Sequence, residues 1–378
     1  MTHSGLDLPT VRIGVAAERA PGERRVAATP ASVAVYRDWG WEVVVATGAG
    51  TSAGFPDDAY REAGAAIGDP AGADIMLVVG PPDPGFAAAL APGSLLLGHL
   101  DPFVSTDLVV ACRDAGITAL AVEAVPRTTL AQSMDALSSQ ATVAGYAAVL
   151  LAAETSPKFL AMLVTAAGTI PPARALVLGA GVAGLQAIAT ARRLGAVVYG
   201  YDIRSATREQ VESLGARFVE APTEEADDGG YAREVGADTQ AQQLETLAPY
   251  VADSDIVVTT AQIPGKPAPR LIDAAMVAAM HPGAVIVDMA ASSGGNVEGS
   301  RPDESVVVDG VTILGPTDLA SRVPTDASRM YARNLQELLG RLRTDEGIAV
   351  DLSDEIIGGT TITHAGEVVH PRSQELVS

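Results

Sequence analysis

The amino-acid sequence predicts an α/β protein built from doubly wound parallel sheets. Three observations support this fold class. The chain has 378 residues, enough for two or three domains. Hydrophobic residues make up 48% of it but aromatic residues only 4%, so its apolar surface is mostly small and aliphatic, which suits helices packed on both faces of a sheet. Short apolar runs also alternate with amphipathic segments, as is typical of βαβ units.

The elements of the first domain follow from this alternation. Proline is favoured at the first position of a helix, so Pro30 marks a helix start. Short apolar runs bounded by turn residues are typical of buried strands. We therefore expect strands at Val11–Ala16, Trp41–Ala46, Asp74–Val79, Ser94–Leu97 and Ile117–Val122, and helices at Pro30–Asp38, Asp57–Glu62 and Thr106–Asp114.

A second series of strands and helices follows a long helix that we expect to run from near Ser133 towards Glu154. Gly195 ends the next helix, because glycine is favoured just beyond a helix C-terminus. The expected strands are Arg174–Leu178, Val197–Tyr201, Arg217–Val219, Asp255–Thr259 and Ala284–Asp288. The expected helices are Val182–Leu194, Ala206–Leu214, Gln240–Val251, one opening at Asp273–Met276, and one from about Thr325 to Leu342.

The stretch from Ala221 to Thr239 breaks this pattern. It contains Pro222, the adjacent glycines Gly229 and Gly230, and several acids, without an apolar period. Loops of this length inside a compact domain are uncommon and are usually functional or mobile. Two interpretations stay open: a loop that covers a ligand, and a solvated surface insertion.

The charge balance excludes several classes of protein. There are 25 Lys and Arg against 46 Asp and Glu, a formal net charge of −21. This argues against nucleic-acid binding, which normally needs a basic surface, and against docking on an anionic membrane. Lys158 and Lys266 are the only lysines, so a mechanism that needs a lysine has two candidates.

Cysteine use indicates a reducing compartment, and hydropathy indicates a soluble chain. Cys112 is the only cysteine, which excludes an internal disulfide and a Cys-x-x-Cys pair and favours a reducing compartment. The N-terminal residues lack the basic and apolar regions of a secretory signal. The longest apolar stretch, Thr142–Ala153, is shorter than the roughly 20 residues of a membrane span and is typical of a buried helix. We expect no direct membrane insertion.

A glycine motif predicts a dinucleotide site in the second domain. Gly179, Gly181 and Gly184 form G-x-G-x-x-G directly after an apolar strand and before a helix. The first glycine makes the tight turn, the second lets the backbone approach a pyrophosphate, and the third lets helix and strand pack closely. We therefore expect two Rossmann-like doubly wound parallel-sheet domains with a cleft between them.

An acidic residue at the end of the next strand selects the nucleotide. Asp202 follows the third glycine by about 18 residues, near the usual spacing of about 20. A carboxylate there binds the ribose hydroxyls and repels a 2′-phosphate, which favours NAD over NADP. Arg204 complicates this, since a nearby arginine can accept a phosphate. Asp202 carries more weight because it ends the strand.

Around these motifs the chain resembles the NAD(H)-binding domain of the alpha subunit of proton-translocating NAD(P) transhydrogenase. The resemblance covers nearly the whole chain, and its most specific portion is the segment from Pro126-Arg127 through Ala131–Gln140, termed here the signature loop. Other similar stretches are Val182–Arg204, Gly229–Ala232, Ile263–Gly265, Asp288–Ala291, Gly294–Asn296 and Tyr331–Leu335. Leu130 and Ser292 depart from the family, which usually has arginine and glutamate there.

Alanine dehydrogenase, a relative with the same two-domain plan, is the alternative. The run from Arg24 to Pro30 and His99 resemble residues that it also carries. Its catalysis uses a lysine after the third strand of the first domain, where Met76–Pro82 contains none. Its catalytic aspartate would fall at Ser292. We read His99 and His281 as structural and predict no metal site.

The transhydrogenase resemblance implies roles for individual residues. Arg127 paired with Asp135, together with Gln132, would hold the two nicotinamides in register, and Ser138 would bond a carboxamide. Without the resemblance, these residues could equally form a polar linker. Asp288 could contact ligand or cap a helix. A lid would include Gly230, Tyr231 and Gln243, and Gln262 would lie near the nicotinamide. The expected NAD(H) contacts are Gly179, Gly181, Val182, Ala183, Gly184, Asp202, Ile203 and Arg204.

The resemblance also implies partners and a domain division. Direct hydride transfer would occur between NAD(H) on this chain and NADP(H) on a partner domain, coupled to proton translocation through a membrane-spanning subunit. A homodimer on the cytoplasmic face of the membrane is expected. Residues 1–135 with 325–378 would form a discontinuous N-terminal domain, and residues 136–324 the NAD(H)-binding domain.

Overall fold

Two compact units make up the chain in the computed structural model, which describes residues 10–221, 237–262 and 266–377. Unit 1 comprises Met1–Gln140 and Ser321–Ser378, and unit 2 comprises Ala141–Ala320. Both ends of the chain therefore belong to unit 1. Helix α5, Ala136–Thr155, begins in unit 1 and ends in unit 2.

Unit 1 is built on an eight-stranded sheet. Its strands are β1 Arg12–Val15, β2 Glu42–Ala46, β3 Ala66–Gly68, β4 Ile75–Leu77, β5 Leu95–Gly98, β6 Thr118–Ala121, β18 Thr361–His364 and β19 Glu367–Val368. Its helices are α1 Pro30–Asp38, α2 Asp57–Glu62, α3 Pro84–Ala88, α4 Thr106–Asp114, α10 Pro324–Leu342, α11 Glu355–Thr360 and α12 Pro371–Val377. A small antiparallel pair joins β16 Arg343–Thr344 to β17 Gly347–Ile348.

The order of the strands makes unit 1 doubly wound. Six strands run parallel in the order β3-β2-β1-β4-β5-β6, and β18 and β19 extend the sheet in antiparallel fashion beyond β6. The winding direction reverses between β1 and β4, and such switch points are where ligands bind in open α/β sheets. Glu18 and Val79 follow these two strands.

The main core of unit 1 contains apolar residues from both of its segments, the one ending at Gln140 and the one beginning at Ser321. Strand residues such as Ile13 and Leu97 pack with Tyr331 and Leu338 of α10. Helix α10 buries one face because its apolar residues recur at helical spacing, with charged residues on the other face. The C-terminal segment therefore belongs to this core.

Unit 2 carries a seven-stranded sheet. Its strands are β9 Arg174–Leu178, β10 Val197–Tyr201, β11 Arg217–Val219, β12 Ile256–Thr259, β13 Val285–Asp288, β14 Ser305–Val308 and β15 Val311–Leu314. Its helices are α6 Val182–Arg193, α7 Arg208–Ser213, α8 Ala237–Ala252 and α9 Ala274–Ala278. A separate hairpin pairs β7 Leu163–Thr165 with β8 Gly168–Ile170.

The winding of unit 2 matches that of unit 1. Six parallel strands run in the order β11-β10-β9-β12-β13-β15, with β14 antiparallel at the edge. Relabelled from the first strand, both sheets have the order 3-2-1-4-5-6 of Rossmann folds. The prediction of two Rossmann-like α/β domains is confirmed.

Several elements differ from the sequence prediction. The expected helix Ala206–Leu214 is a 3-10 turn, Ser205–Thr207, followed by α7. The long helix begins at Ala136, because Thr129–Met134 forms a separate 3-10 helix. Most of the stretch from Ala221 to Thr239 lies outside the described residues, and α8 already begins at Ala237.

Helix α5 is longer than the apolar stretch recognised in the sequence. Among the described residues it is the one helix long and apolar enough to cross a membrane, by length and composition alone, and 39% of its most apolar window is buried. Core helices of water-soluble proteins pass the same test, so this is weak evidence for a membrane span.

Candidate dinucleotide site

The glycine turn lies at the switch point of the unit 2 sheet, between the ends of β9 and β12. Gly179 has φ +101°, a conformation that side chains rarely adopt, and a Cβ there would lie 2.5 Å from Thr260 Oγ1. A Cβ on Gly184 would overlap the carbonyl oxygen of Gly179. Both glycines are therefore required for packing of turn, strand and helix, whatever ligand binds.

The second glycine has a different environment. A Cβ on Gly181 would meet no atom of the described residues within 4 Å, so this position faces open space. Gly181 is the N-cap of α6, and its lack of a side chain leaves the first N–H groups of the helix without a side-chain cap. Val182 is exposed and Ala183 is also at the surface. The turn thus offers room and N–H donors for a pyrophosphate.

Asp202 is buried and bound to the glycine turn. Its Oδ2 accepts hydrogen bonds from Ala180 N at 2.7 Å and from Arg204 Nη2 at 3.1 Å, and its Oδ1 accepts from Arg204 N at 2.9 Å and Nε at 3.0 Å. A carboxylate has about four lone-pair sites, so these bonds occupy all of them. A ribose hydroxyl can bind Asp202 only if some of the Arg204 contact is released. Ile203, between them, is buried.

Two buried polar side chains, Asn296 and Asp288, hold the loops that follow β12 and β13. Asn296, fully buried, donates to Ala261 O at 2.9 Å and Pro269 O at 2.8 Å and accepts from Ala261 N at 3.1 Å. Asp288 accepts from Thr259 Oγ1, Ala290 N and Val297 N at 2.9, 3.0 and 3.2 Å. Gln262 is exposed on the loop after β12. Asp288 thus anchors loops rather than capping an α-helix.

The signature loop lies in unit 1. Arg127 and Gln132 are exposed, and Gln132 belongs to the 3-10 helix Thr129–Met134. Asp135 Oδ1 accepts from Ser138 N at 2.8 Å and Oδ2 from Ser138 Oγ at 2.6 Å, which is the geometry of an N-terminal helix cap. Asp135 and Ser138 are thus brought together at the start of α5. The pairing of Arg127 with Asp135 stays a prediction.

The residues of the predicted lid fall into two groups. Gly230 and Tyr231 lie outside the described residues. Gln243 is buried on α8, within the predicted helix Gln240–Val251, and its part in a lid stays a prediction. The helical spacing of Leu244, Leu247 and Val251 already favoured a helix there.

Two family profiles match this chain. The profile for the N-terminal domain of alanine dehydrogenase/PNT matches residues 14–144, and that for the C-terminal domain matches residues 148–371. The chain belongs to the alanine dehydrogenase/PNT family. The first portion of NAD(P) transhydrogenase subunit alpha from Rhodospirillum rubrum is 45% identical over 377 residues, covering 96% of this chain and 98% of its own. These findings confirm the family resemblance recognised in the sequence.

Structural similarity agrees with this membership. The solved structure of transhydrogenase from Sinorhizobium meliloti is 42% identical, with a TM-score of 0.84, and the match covers 95% of this chain and 99% of that one. The alanine dehydrogenase of Mycobacterium tuberculosis is 32% identical over 300 residues, 77% of this chain and 76% of its own. The chain is therefore more similar to these transhydrogenases than to that alanine dehydrogenase.

Unit 1 also has ionisable residues that follow its parallel strands: Glu18 at the switch point after β1, and His99, Asp101 and Glu123 after β5 and β6. Glu18 follows β1 and accepts from Val79 N at 2.7 Å and Gly80 N at 3.3 Å. Burial outweighs these bonds and raises the pKa of Glu18 to about 7. Ligating atoms of His99, Asp101 and Glu123 lie within 4.8 Å of one another, and burial raises the pKa of Glu123.

Sequence reasoning missed the side chains that support the site. Asn296 and Thr260 hold the loop after β12 and the glycine turn, and Asn334 holds the signature loop. Asn296 and Asn334 lie in stretches that resemble the family, which was the available signal. Their roles depend on contacts between distant segments of the chain.

Proposed function

We propose that this chain is the NAD(H)-binding component of a proton-translocating NAD(P) transhydrogenase. The observation that carries the proposal is the glycine turn at the unit 2 switch point, with open space at Gly181 and Asp202 bound to Ala180. This arrangement fits an NAD(H) pyrophosphate and adenosine ribose. The greater identity to transhydrogenase alpha subunits than to alanine dehydrogenase supports the choice of reaction.

The alternative, an amino-acid dehydrogenase, lacks support in unit 1. The segment after β4 has no lysine; the backbone N–H groups of Val79 and Gly80 bind Glu18 there. Arg25, which resembles a residue that alanine dehydrogenase carries, already forms ion-pair hydrogen bonds with Glu23. Oxidation of an amino acid needs a proton acceptor and a cationic group that binds the substrate carboxylate. The lysine is missing from the segment after β4, and the guanidinium of Arg25 is engaged by Glu23.

The proposed reaction needs positioning more than acid–base chemistry. Bound nicotinamide supplies the hydride chemistry, and a hydride carries both electrons, so no side chain has to exchange a proton. Ser138 Oγ donates to Asp135 Oδ2 at 2.6 Å, which fixes the orientation of the hydroxyl that would bond a carboxamide. Arg127 and Gln132, exposed on the same loop, would hold the nicotinamides in register.

The proposal includes NADP(H) on a partner domain and a membrane-spanning subunit for the proton pathway. The Rhodospirillum rubrum relative is named as one portion of a subunit, which supports assembly with other chains. The chain would then be cytoplasmic and peripheral to the membrane through those partners. Its net charge of −21 argues against direct binding to anionic lipid.

We further propose a homodimer, supported by the hairpin of unit 2. Phe159, Met162, Val164 and Ile170 of this segment are 58%, 59%, 72% and 39% exposed. Apolar side chains clustered on a two-stranded hairpin are unfavourable in water, and an isolated hairpin has little stability of its own. A second copy of the chain would cover them.

The test is hydride exchange between NADH and a thio-NADP⁺ analogue, measured by absorbance. The chain mixed with a separately produced NADP(H)-binding domain is expected to exchange, and neither component alone. A complete mixture without exchange contradicts the proposal. Oxidation of NADH by the chain alone with pyruvate and ammonia would instead support the dehydrogenase.

A variant of Gln132 tests the role of the signature loop in the same hydride-exchange assay. Gln132→Asn should lose exchange while the affinity for NADH, measured by fluorescence titration, stays unchanged, because the adenosine contacts lie elsewhere. Gln210→Asn, at an exposed glutamine of α7, is the matched control and should exchange like wild type. Loss of NADH binding by Gln132→Asn would reassign Gln132 to nucleotide affinity.

A further inference from the structure

A partly buried chain of hydrogen-bonded polar side chains in unit 1 begins with Glu23 and Arg25. Arg25 Nε and Nη2 donate to Glu23 at 2.8 and 2.6 Å, and its Nη1 donates to Gln140 Oε1 at 2.8 Å. Ser321 Oγ donates to the same Glu23 at 2.5 Å. Only 17% of the Arg25 side chain and 10% of that of Glu23 are exposed. Arg25 is therefore committed to internal partners through three of its five N–H donors.

The chain continues from Gln140 to helix α10. Gln140 Nε2 donates to Ser139 Oγ at 3.2 Å and to Ala327 O at 3.1 Å. Ser139 Oγ donates to Asn334 Oδ1 at 2.7 Å. Asn334 Nδ2 then donates to Ser133 O at 2.8 Å. Each side chain thus bonds to the next, from Glu23 to the backbone of the signature loop.

Asn334 holds the signature loop at two points, Ser133 and Ser139. Ser133 directly follows Gln132, and Ser139 directly follows Ser138. Asp135 lies between them and caps α5. Partly buried hydrogen bonds of this kind are costly to break singly, because the remaining partner is left unsatisfied.

We propose that Asn334 and Arg25 are positioning residues that set the place of Gln132, Asp135 and Ser138 relative to bound nicotinamide. The inference rests on the proposed function. It assigns Arg25 a role different from substrate binding: in this chain its guanidinium orders the start of α5 through Gln140. Asn334 contacts the loop backbone directly, so it is the residue whose loss displaces Gln132 most.

Asn334→Asp is the sharpest variant. It keeps an oxygen for the Ser139 hydroxyl but replaces the amide that donates to Ser133 O with an acceptor. The exchange rate at saturating NADH should fall roughly tenfold to a hundredfold, since small displacements of reacting groups have effects of this size. The NADH dissociation constant should stay within about twofold, because Asn334 and the glycine turn belong to different units.

Gln140→Glu and Arg25→Met test the rest of the chain. Gln140→Glu keeps the acceptor for Arg25 but loses both Nε2 bonds, and Arg25→Met removes the bond to Gln140. Both variants should lower the exchange rate, by less than Asn334→Asp does, because neither residue contacts the backbone of the loop at Ser133. Arg341→Met is the matched control: it breaks the Arg341–Asp354 ion pair elsewhere on α10 and should leave exchange unchanged. Circular dichroism confirms that each variant is folded.

Hydrogen–deuterium exchange of the chain without partner supplies a readout independent of the proposed function. Asn334→Asp should speed amide exchange in Ser133–Ser139, while amides of the β9–α6 turn keep the wild-type rate. If the amides of Ser133–Ser139 are protected equally in Asn334→Asp and in wild type, the inference is overturned. This readout does not depend on the proposed function, which fails separately if the wild-type chain transfers no hydride in the complete mixture. The inference is also overturned if Asn334→Asp transfers hydride at the wild-type rate, or if its NADH affinity falls by the same factor as its rate.

Discussion

At the scale of single residues, Glu18 illustrates how burial changes a carboxylate. It lies at the switch point of unit 1, and two backbone N–H groups do not offset the loss of solvent. Its pKa is therefore raised to about 7 from an ordinary value of 4.5. The folded chain holds this proton to a higher pH than the unfolded chain does.

The first prediction follows from this shift. Because the folded-state pKa is raised, the stability linked to this group is fully present below pH 4.5 and is lost as pH rises through about 7. Glu18→Gln should flatten this dependence, so that the urea midpoint falls less between pH 5 and pH 8 than in wild type. The difference corresponds to about 3 kcal/mol at most.

Glu42→Gln, at an exposed position on β2, is the control and should keep the wild-type pH dependence. Parallel curves for wild type and Glu18→Gln would show that Glu18 titrates at its ordinary pKa.

Asp202 makes a second point at this scale. Its carboxylate is engaged by Ala180 and Arg204, so the residue predicted to select the nucleotide also orders the glycine turn. In the proposed function, the binding of a ribose and the release of some of the Arg204 contact would therefore be linked.

At the scale of elements, two glycines of the turn from β9 to α6 differ in their surroundings. Gly184 contacts the Gly179 carbonyl so closely that no Cβ fits, whereas Gly181 faces open space with φ −76°. The same motif thus contains one glycine needed for the fold and one that we propose is needed for the ligand.

Two alanine variants test this division. Gly184→Ala should destabilise unit 2 by about 1–3 kcal/mol, as overpacking does, and lower the melting temperature. Gly181→Ala should melt like wild type but bind NADH more weakly, because its Cβ occupies the space a pyrophosphate needs. Differential scanning fluorimetry and NADH titration measure the two effects. Equal melting temperatures for both variants would contradict the division.

At the scale of the whole molecule, the hairpin β7–β8 is the clearest surface for self-association. Val164→Asp should convert the proposed dimer to a monomer, because a charge would be buried against apolar groups of a second copy. Light scattering at micromolar concentration measures the mass. Val307→Asp, at a 66% exposed valine of β14, is the control and should stay dimeric. A monomeric wild type, or a dimeric Val164→Asp, rules out the hairpin interface.

Local sequence determined the elements and the nucleotide motif. The bounds of α1, α2, α4, β9, β10 and β11 agree with the prediction, because apolar periodicity, helix-starting residues and glycine turns act over a few neighbouring residues. The G-x-G-x-x-G spacing and Asp202 could be read for the same reason. The prediction failed for β18, whose buried Thr361 and Thr363 are polar by composition and are satisfied by backbone carbonyls.

Only the tertiary structure decided how distant residues combine. Asn334 reaches Ser133 across 201 positions and Arg25 reaches Gln140 across 115, and no local pattern encodes such pairs. The placement of Glu18 beside Val79, which raises its pKa, likewise depends on β1 and β4 being neighbours in the sheet. Sequence periodicity specifies which face of an element is buried, whereas the partner on that face is chosen by the packing of the whole unit.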